Sequence, residues 1–259
     1  MSEKDLLYKL DKNIAYVTIN REKHRNSISG EAVRLFLEVL DQAEGDPEVR
    51  AICITGAGDK AFCSGADLGN VMAGGQEQHA DPLRNYARLL KRLTSFPKPT
   101  VAKINGYCLA GGTGFMLACD IVIARDDAKF GTPEVNVGLF PMMIGALIFR
   151  NVARKKAMEM ILLGEKLSAE QAMNMGLVTR VVPFEKLDAE VENVLKSLSA
   201  KSPIGMKIGK EAFSAMDMMP VEEALDYLCD KLREVAATED AAEGITAFIE
   251  KRQPVFKGK

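Results

Sequence analysis

An α/β fold with mostly parallel strand pairing is predicted by three features of this 259-residue sequence. Short apolar runs at residues 51–55, 101–104 and 121–124 have the profile of strands buried on both faces. Glycine turns, Gly56-Ala57-Gly58 and Asn105-Gly106, follow the first two. A helical stripe formed by Leu83, Tyr86, Leu89, Leu90 and Leu93 lies between them. Strand, glycine turn, helix and strand in alternation is the signature of a parallel α/β arrangement.

Taken in order, residues 6–10 and 14–19 read as two strands joined by the turn signal Asp11-Lys12-Asn13. Residues 20–29 are polar and read as a loop. Ser29 is placed to N-cap a helix over 30–44, whose Val33, Leu35, Phe36, Val39 and Leu40 share one stripe; Gly45-Asp46-Pro47 stops it. Residues 71–81, rich in Gly and Gln with weak periodicity, read as a mobile loop. Ser168-Ala169-Glu170-Gln171 is a capping box for a helix ending before Gly176. Beyond Phe184 the pattern is helical over 186–200, 203–217, 221–237 and 240–252, punctuated by Ser202-Pro203 and Met219-Pro220. A boundary near Ser199 divides an α/β core, residues 1–198, from a helical segment, residues 199–259. No internal repeat or low-complexity tract is visible at this level.

Composition narrows the function classes. At this length a core can form without disulfides or metals, and 47% apolar with 27% charged residues fits a soluble globular protein. A net charge of −2 gives no support for a nucleic-acid partner. No apolar run reaches the ~18 residues of a membrane span, and the acidic start Met1-Ser2-Glu3-Lys4-Asp5 lacks a signal-peptide pattern. The five cysteines, Cys53, Cys63, Cys108, Cys119 and Cys229, are odd in number and lack C-x-x-C spacing, which points to a reducing, cytoplasmic setting. With only His24 and His79, no zinc site or Ser-His-Asp nucleophile motif is expected.

The chemistry-bearing residues are two glycine loops and a carboxylate. The loops are Ala61-Phe62-Cys63-Ser64-Gly65-Ala66-Asp67-Leu68 and Asn105-Gly106-Tyr107-Cys108-Leu109-Ala110-Gly111-Gly112-Thr113-Gly114; the carboxylate is Glu134, after Pro133. Small residues let backbone N–H groups approach a ligand oxygen, and two such groups form an oxyanion hole. A nearby glutamate then moves a proton beside the polarised carbonyl. The combination suits chemistry on the α-carbon of an ester or thioester. Tight turns alone would also use these glycines, and a glutamate after a turn is commonly a surface acid. The apolar neighbours Val135, Val137, Leu139 and Phe140 would raise the pKa of Glu134 towards a useful range.

Together with Asn20-Arg21-Glu22-Lys23-His24-Arg25-Asn26-Ser27-Ile28, Leu163-Gly164-Glu165, Gly176-Leu177-Val178 and Glu243-Gly244-Ile245-Thr246-Ala247-Phe248, these motifs resemble the crotonase superfamily, the enoyl-CoA hydratase/isomerase family. The resemblance spans essentially the whole chain. It implies a crotonase-like spiral of ββα units with a helical C-terminal trimerisation segment, hence a homotrimer or dimer of trimers. It implies an acyl-CoA substrate, with no cofactor beyond the coenzyme A thioester itself. The oxyanion hole would be the N–H groups of Ala66 and Gly111, the latter opening a helix whose dipole adds positive potential. Gly65, Asp67, Leu68 and Gly112 would border the substrate, Asp67 chiefly as a cap on its loop. Lys23 and Arg25 would meet the nucleotide, and Lys251 would reach a neighbouring subunit's coenzyme A. A lysine common two residues beyond Asp67 is replaced by Gly69. Phe140, Met142, Met143 and Ile144 are acyl-pocket candidates; core packing explains them equally.

Hydratases of the family carry two glutamates. One matches Glu134; the other matches Gly114 and is therefore missing. Isomerisation of a double bond from C3–C4 to C2–C3 needs only one base, so the sequence favours a 3-enoyl to 2-enoyl-CoA isomerase. The alternatives are hydration, with water held by Thr113, backbone groups or an acid such as Glu77 or Asp81, and non-catalytic acyl-CoA binding.

Overall fold

The computed structural model describes residues 4–66 and 81–259. Asp67, Leu68, Gly69, Glu77 and His79, and all but the last residue of the 71–81 loop, lie outside the described residues.

Strands β1 (Leu6–Asp11) and β2 (Ile14–Ile19) form the expected hairpin. Its turn places Lys12 and Asn13 at φ +48° and +66°, the paired left-handed geometry that matches strand twist. Helix α1 (Gly30–Gly45) starts where Ser29 Oγ accepts the Ala32 N–H at 3.0 Å. Strand β3 (Ala51–Gly56) leads to β4 (Ala61–Cys63), and α2 (Pro82–Thr94) follows. Next come β5 (Thr100–Ile104), β6 (Tyr107–Leu109) and α3 (Gly111–Leu117), then β7 (Ile121–Arg125) and β8 (Lys129–Gly131). Helices α4 (Met142–Asn151) and α5 (Arg154–Leu163) precede the two-residue β9 (Leu167–Ser168), α6 (Ala169–Asn174) and β10 (Arg180–Val182). The chain ends in α7 (Leu187–Ser199), α8 (Pro203–Met216), α9 (Val221–Ala236) and α10 (Glu239–Ile249).

Two sheets result, one of order β1-β2-β3-β5-β7-β10 and the other β4-β6-β8-β9. Pairings are parallel except β1 with β2 and β8 with β9. Successive pairs β3/β4, β5/β6 and β7/β8 each give one strand to each sheet, so the chain winds as a spiral of repeated strand pairs. This repeat is invisible in sequence because β4, β6 and β8 have three residues apiece, too few for a periodic signal.

The long strands are buried on both faces, as their composition requires. Ile52, Ile54, Ala102 and Ile104 join Phe36, Leu40, Leu89 and Phe115 on one side; Ala51, Cys53, Val101 and Ile123 meet Val191, Val194 and Leu195 of α7 on the other. The stripe on α2 differs from expectation at its first member. Leu83 is 60% exposed, while Leu89, Leu90 and Leu93 are buried, so the helix engages the core only beyond its first turn. The capping box at Ser168 is present with both reciprocal bonds to Gln171. Among the described residues no helix is long and apolar enough to cross a membrane.

Candidate active site

The first glycine loop is held by the polar 20–29 segment. Asn26, fully buried, donates from Nδ2 to the carbonyls of Ala61 (2.6 Å) and Ala57 (3.0 Å), and its Oδ1 accepts the Arg21 N–H. Ile28 N–H donates to Gly65 O at 2.8 Å, and Ser64 N–H to Arg25 O at 3.2 Å. The side chains of Lys23 and Arg25 are exposed beside this junction.

The second loop is pinned from behind. Gly131 O accepts the Ala110 N–H (2.9 Å) and the Thr113 hydroxyl (3.1 Å). Ala110 adopts φ +51°, ψ −126°, a conformation costly for a residue with a Cβ. It turns the chain so that α3 begins at Gly111.

The two loops touch at their glycines. Gly65 has φ +100°, and a Cβ there would lie 2.6 Å from Ala110 Cβ and 3.1 Å from Gly111 N. Only glycine satisfies both the angle and the approach. Among the described residues, no turn, loop or cap hydrogen bond uses the N–H of Ala66 or of Gly111. Ala66 is exposed. Gly112 faces the Cys63 backbone with no space for a side chain. Burial pushes the Cys63 thiol up to about 12, so it is an inert packing group rather than a nucleophile.

Glu134 lies in the short 3₁₀ turn Pro133–Val137 and is half-buried. Its Oε2 is buried without a hydrogen-bond partner among the described residues. Desolvation raises its pKa above the ordinary 4.5, partly offset by a backbone hydrogen bond. A carboxylate in that state holds a proton more readily and has an unused acceptor, which is what a proton carrier requires. Nearby in sequence, Val137, Leu139, Phe140 and Met142 are exposed while Ile144 is buried.

The other candidates scatter. Asp81 N-caps α2, accepting the N–H groups of Leu83 and Arg84 at 3.0 and 3.1 Å. Thr113, fully buried, spends its hydroxyl on backbone carbonyls. Lys251 is exposed beyond α10; its N–H donates to Phe248 O, and no hydrogen bond to the glycine loops exists among the described residues.

Tyr86 is the residue that sequence reading missed, having passed as one apolar member of a leucine stripe. Its hydroxyl donates to Gly111 O at 2.6 Å, and its ring stands edge-on to Phe115 at 5.4 Å. The available signal was its chemistry: a tyrosine within a buried stripe needs a partner for its O–H.

The enoyl-CoA hydratase/isomerase family model matches residues 9–259. The chain is 35% identical over 250 residues to an (E)-benzylidenesuccinyl-CoA hydratase of Thauera aromatica, covering 95% of this chain and 96% of that one. It is 32% identical over 258 residues to a 2,3-dehydroadipyl-CoA hydratase of Escherichia coli, covering 98% and 99%. Its fold superposes on the crystal structure of an enoyl-CoA hydratase from Bacillus anthracis with a TM-score of 0.93 at 31% identity, covering 98% and 100%. The chain belongs to the enoyl-CoA hydratase/isomerase family of the crotonase superfamily.

Proposed function

We propose that this enzyme isomerises 3-enoyl-CoA to 2-enoyl-CoA with Glu134 as its sole proton carrier. The observation that carries this reading is the half-buried Glu134, whose Oε2 has no hydrogen-bond partner among the described residues, together with a glycine at the second acid's position. The thioester oxygen sits between the N–H groups of Ala66 and Gly111. Glu134 takes a proton from C2, and the C–H electrons spread into a dienolate whose charge rests on that oxygen. Glu134 returns the proton at C4, C2=C3 forms, and no electron is gained or lost overall. Lys23, Arg25 and Lys251 neutralise coenzyme A phosphates, Lys251 across a subunit boundary. Gly65 and Gly112 shape the thioester end, where the resemblance also assigns Asp67 and Leu68, and Phe140 lines the acyl path.

A second reading, hydration of 2-enoyl-CoA, is favoured by the names of the relatives, which are mostly hydratases. Against it stand the commitment of Thr113 to backbone acceptors and of Asp81 to its cap. Supplying purified enzyme with 3-enoyl-CoA and 2-enoyl-CoA separately distinguishes the two. Rapid hydration without a 3-to-2 shift would replace the first reading by the second. Coenzyme A ester binding without any conversion would favour a binding role.

Self-association belongs to the same reading. Leu225, Leu232, Phe248 and Ile249 expose apolar surface on α9 and α10, which supports self-association; the resemblance makes that a homotrimer or dimer of trimers. Light scattering on the pure protein checks this, and a monomer mass would remove it.

A further inference from the structure

Gly111 and Gly114 lie three residues apart on α3 and therefore share a face. Both point at one atom. A Cβ at 111 would lie 3.1 Å from the Tyr86 hydroxyl oxygen, and a Cβ at 114 would lie 2.7 Å from it. The second position is also closed by Ile144, whose Cγ2 would be 2.5 Å away. Ile144 is buried, and its branch is fixed close to the backbone, so it cannot swing aside as a flexible chain end would. The absence of a side chain at 114 is therefore matched by packing from α2 and α4.

We propose that Tyr86, braced by Ile144, is a positioning and reaction-specificity residue: its phenol occupies the place a side chain at 114 would need and holds the Gly111 carbonyl, so that the cleft works with Glu134 alone. This rests on the reading of Glu134 as the proton carrier. The hydroxyl bond fixes Gly111 from one side, while Ala110 and Gly65 fix it from the other. The Gly111 N–H thereby keeps one direction. Burial above all pushes the Tyr86 pKa well above its ordinary value, so the phenol stays neutral. A neutral group there adds no second negative charge beside a developing enolate, where a carboxylate would.

The test measures turnover and product composition from 3-enoyl-CoA and 2-enoyl-CoA. The proteins are the parent, Glu134→Gln, Tyr86→Phe, Gly114→Glu and the triple variant Tyr86→Ala/Ile144→Ala/Gly114→Glu. Tyr86→Phe keeps the ring and should lower kcat about tenfold with KM within about twofold, because the bond acts on an interaction that strengthens in the transition state. The acid limb of its pH profile should not move, since that limb belongs to Glu134. Gly114→Glu alone should lose turnover about a hundredfold, as expected when misplacement disturbs a near-attack geometry. The triple variant, with the space opened, should exceed it and release hydrated product. A tyrosine that merely fills the core would make the triple variant worse than Gly114→Glu alone.

Parent kcat, KM and products in Tyr86→Phe would overturn the proposal, as would a folded triple variant no more active than Gly114→Glu. Where circular dichroism shows a glutamate variant unfolded, the kcat-against-KM split of Tyr86→Phe decides. Full turnover in Glu134→Gln overturns the proton-carrier reading and this proposal with it. An inactive Glu134→Gln beside an unaffected Tyr86→Phe overturns this proposal alone.

Discussion

Glu134 and Gly114 are the two positions at which the reading of this site turns, yet their surroundings are built on opposite principles. At 134 the fold leaves a carboxylate oxygen buried without a partner among the described residues and raises its proton affinity. At 114 it spends a tyrosine and an isoleucine on filling the space a side chain would need. One position stores reactivity at a cost in stability; the other stores shape. The difference teaches that the glycine at 114 is not an empty place in this chain, because Tyr86 and Ile144 have closed over it.

The hardest test of this contrast is at 134 itself. Glu134→Gln preserves the shape and removes the base, so turnover should fall by about three orders of magnitude, within the range for general acid–base catalysis. Thioester binding, followed by calorimetry, should remain near the parent value. A variant that binds weakly as well would mean that Glu134 also positions the ground state.

Gly65→Ala sharpens the contrast from the side of shape. The new methyl meets Ala110 Cβ and must accept φ +100°, so Ala110 and the Gly111 N–H both move. Loss of one well-aimed donor costs about 10²- to 10³-fold in kcat, and this variant should approach the lower figure. KM should change less. A variant with parent kcat would show that the loop contact does not set the position of Gly111.

Asn26 should have a smaller effect, mostly on stability. Asn26→Ala strips the donors from two carbonyls, one of them the buried Ala61 carbonyl of β4. Unmet buried acceptors cost about 1–3 kcal/mol each, so a loss of about 2 kcal/mol is expected by urea titration. The accompanying loss of activity should be modest, because Ile28 N–H still holds Gly65 O.

The same residues show which parts of the molecule were legible from sequence. The long strands, the hairpin turn, Ser29 as a cap and the capping box at Ser168 carry local signals, and the structure reproduces them. Strands β4, β6 and β8 form because a neighbouring strand and a core face are already in place, and three residues cannot announce that. Helices α4 and α5 also went unread: Met142, Met143 and Ile144 of α4 read equally as pocket lining or core packing, with no helix assigned. At the site, Glu134 and the glycine loops were legible as motifs. Tyr86 was not, since its role depends on α2 crossing the start of α3, a non-local contact that no spacing encodes.

The smallest predicted effect tests the cost assigned to position 134. Burial holds the Glu134 pKa in the fold above the 4.5 of an unhindered glutamate. The fold therefore favours the protonated form. This group's stabilising contribution is complete below the ordinary glutamate value and is lost as pH rises through the raised one. Above that raised value the ionised carboxylate is a net burden that an uncharged amide in its place would not impose. Glu134→Gln should melt above the parent at pH 7, and the gap should close as pH falls below the ordinary value. The proposed mechanism runs the other way: it requires the base form, so parent turnover should drop as pH falls through that same raised pKa. Identical melting curves for the two proteins at both ends of this range would remove the claim that stability is traded for reactivity at Glu134, and with it half of the contrast with Gly114.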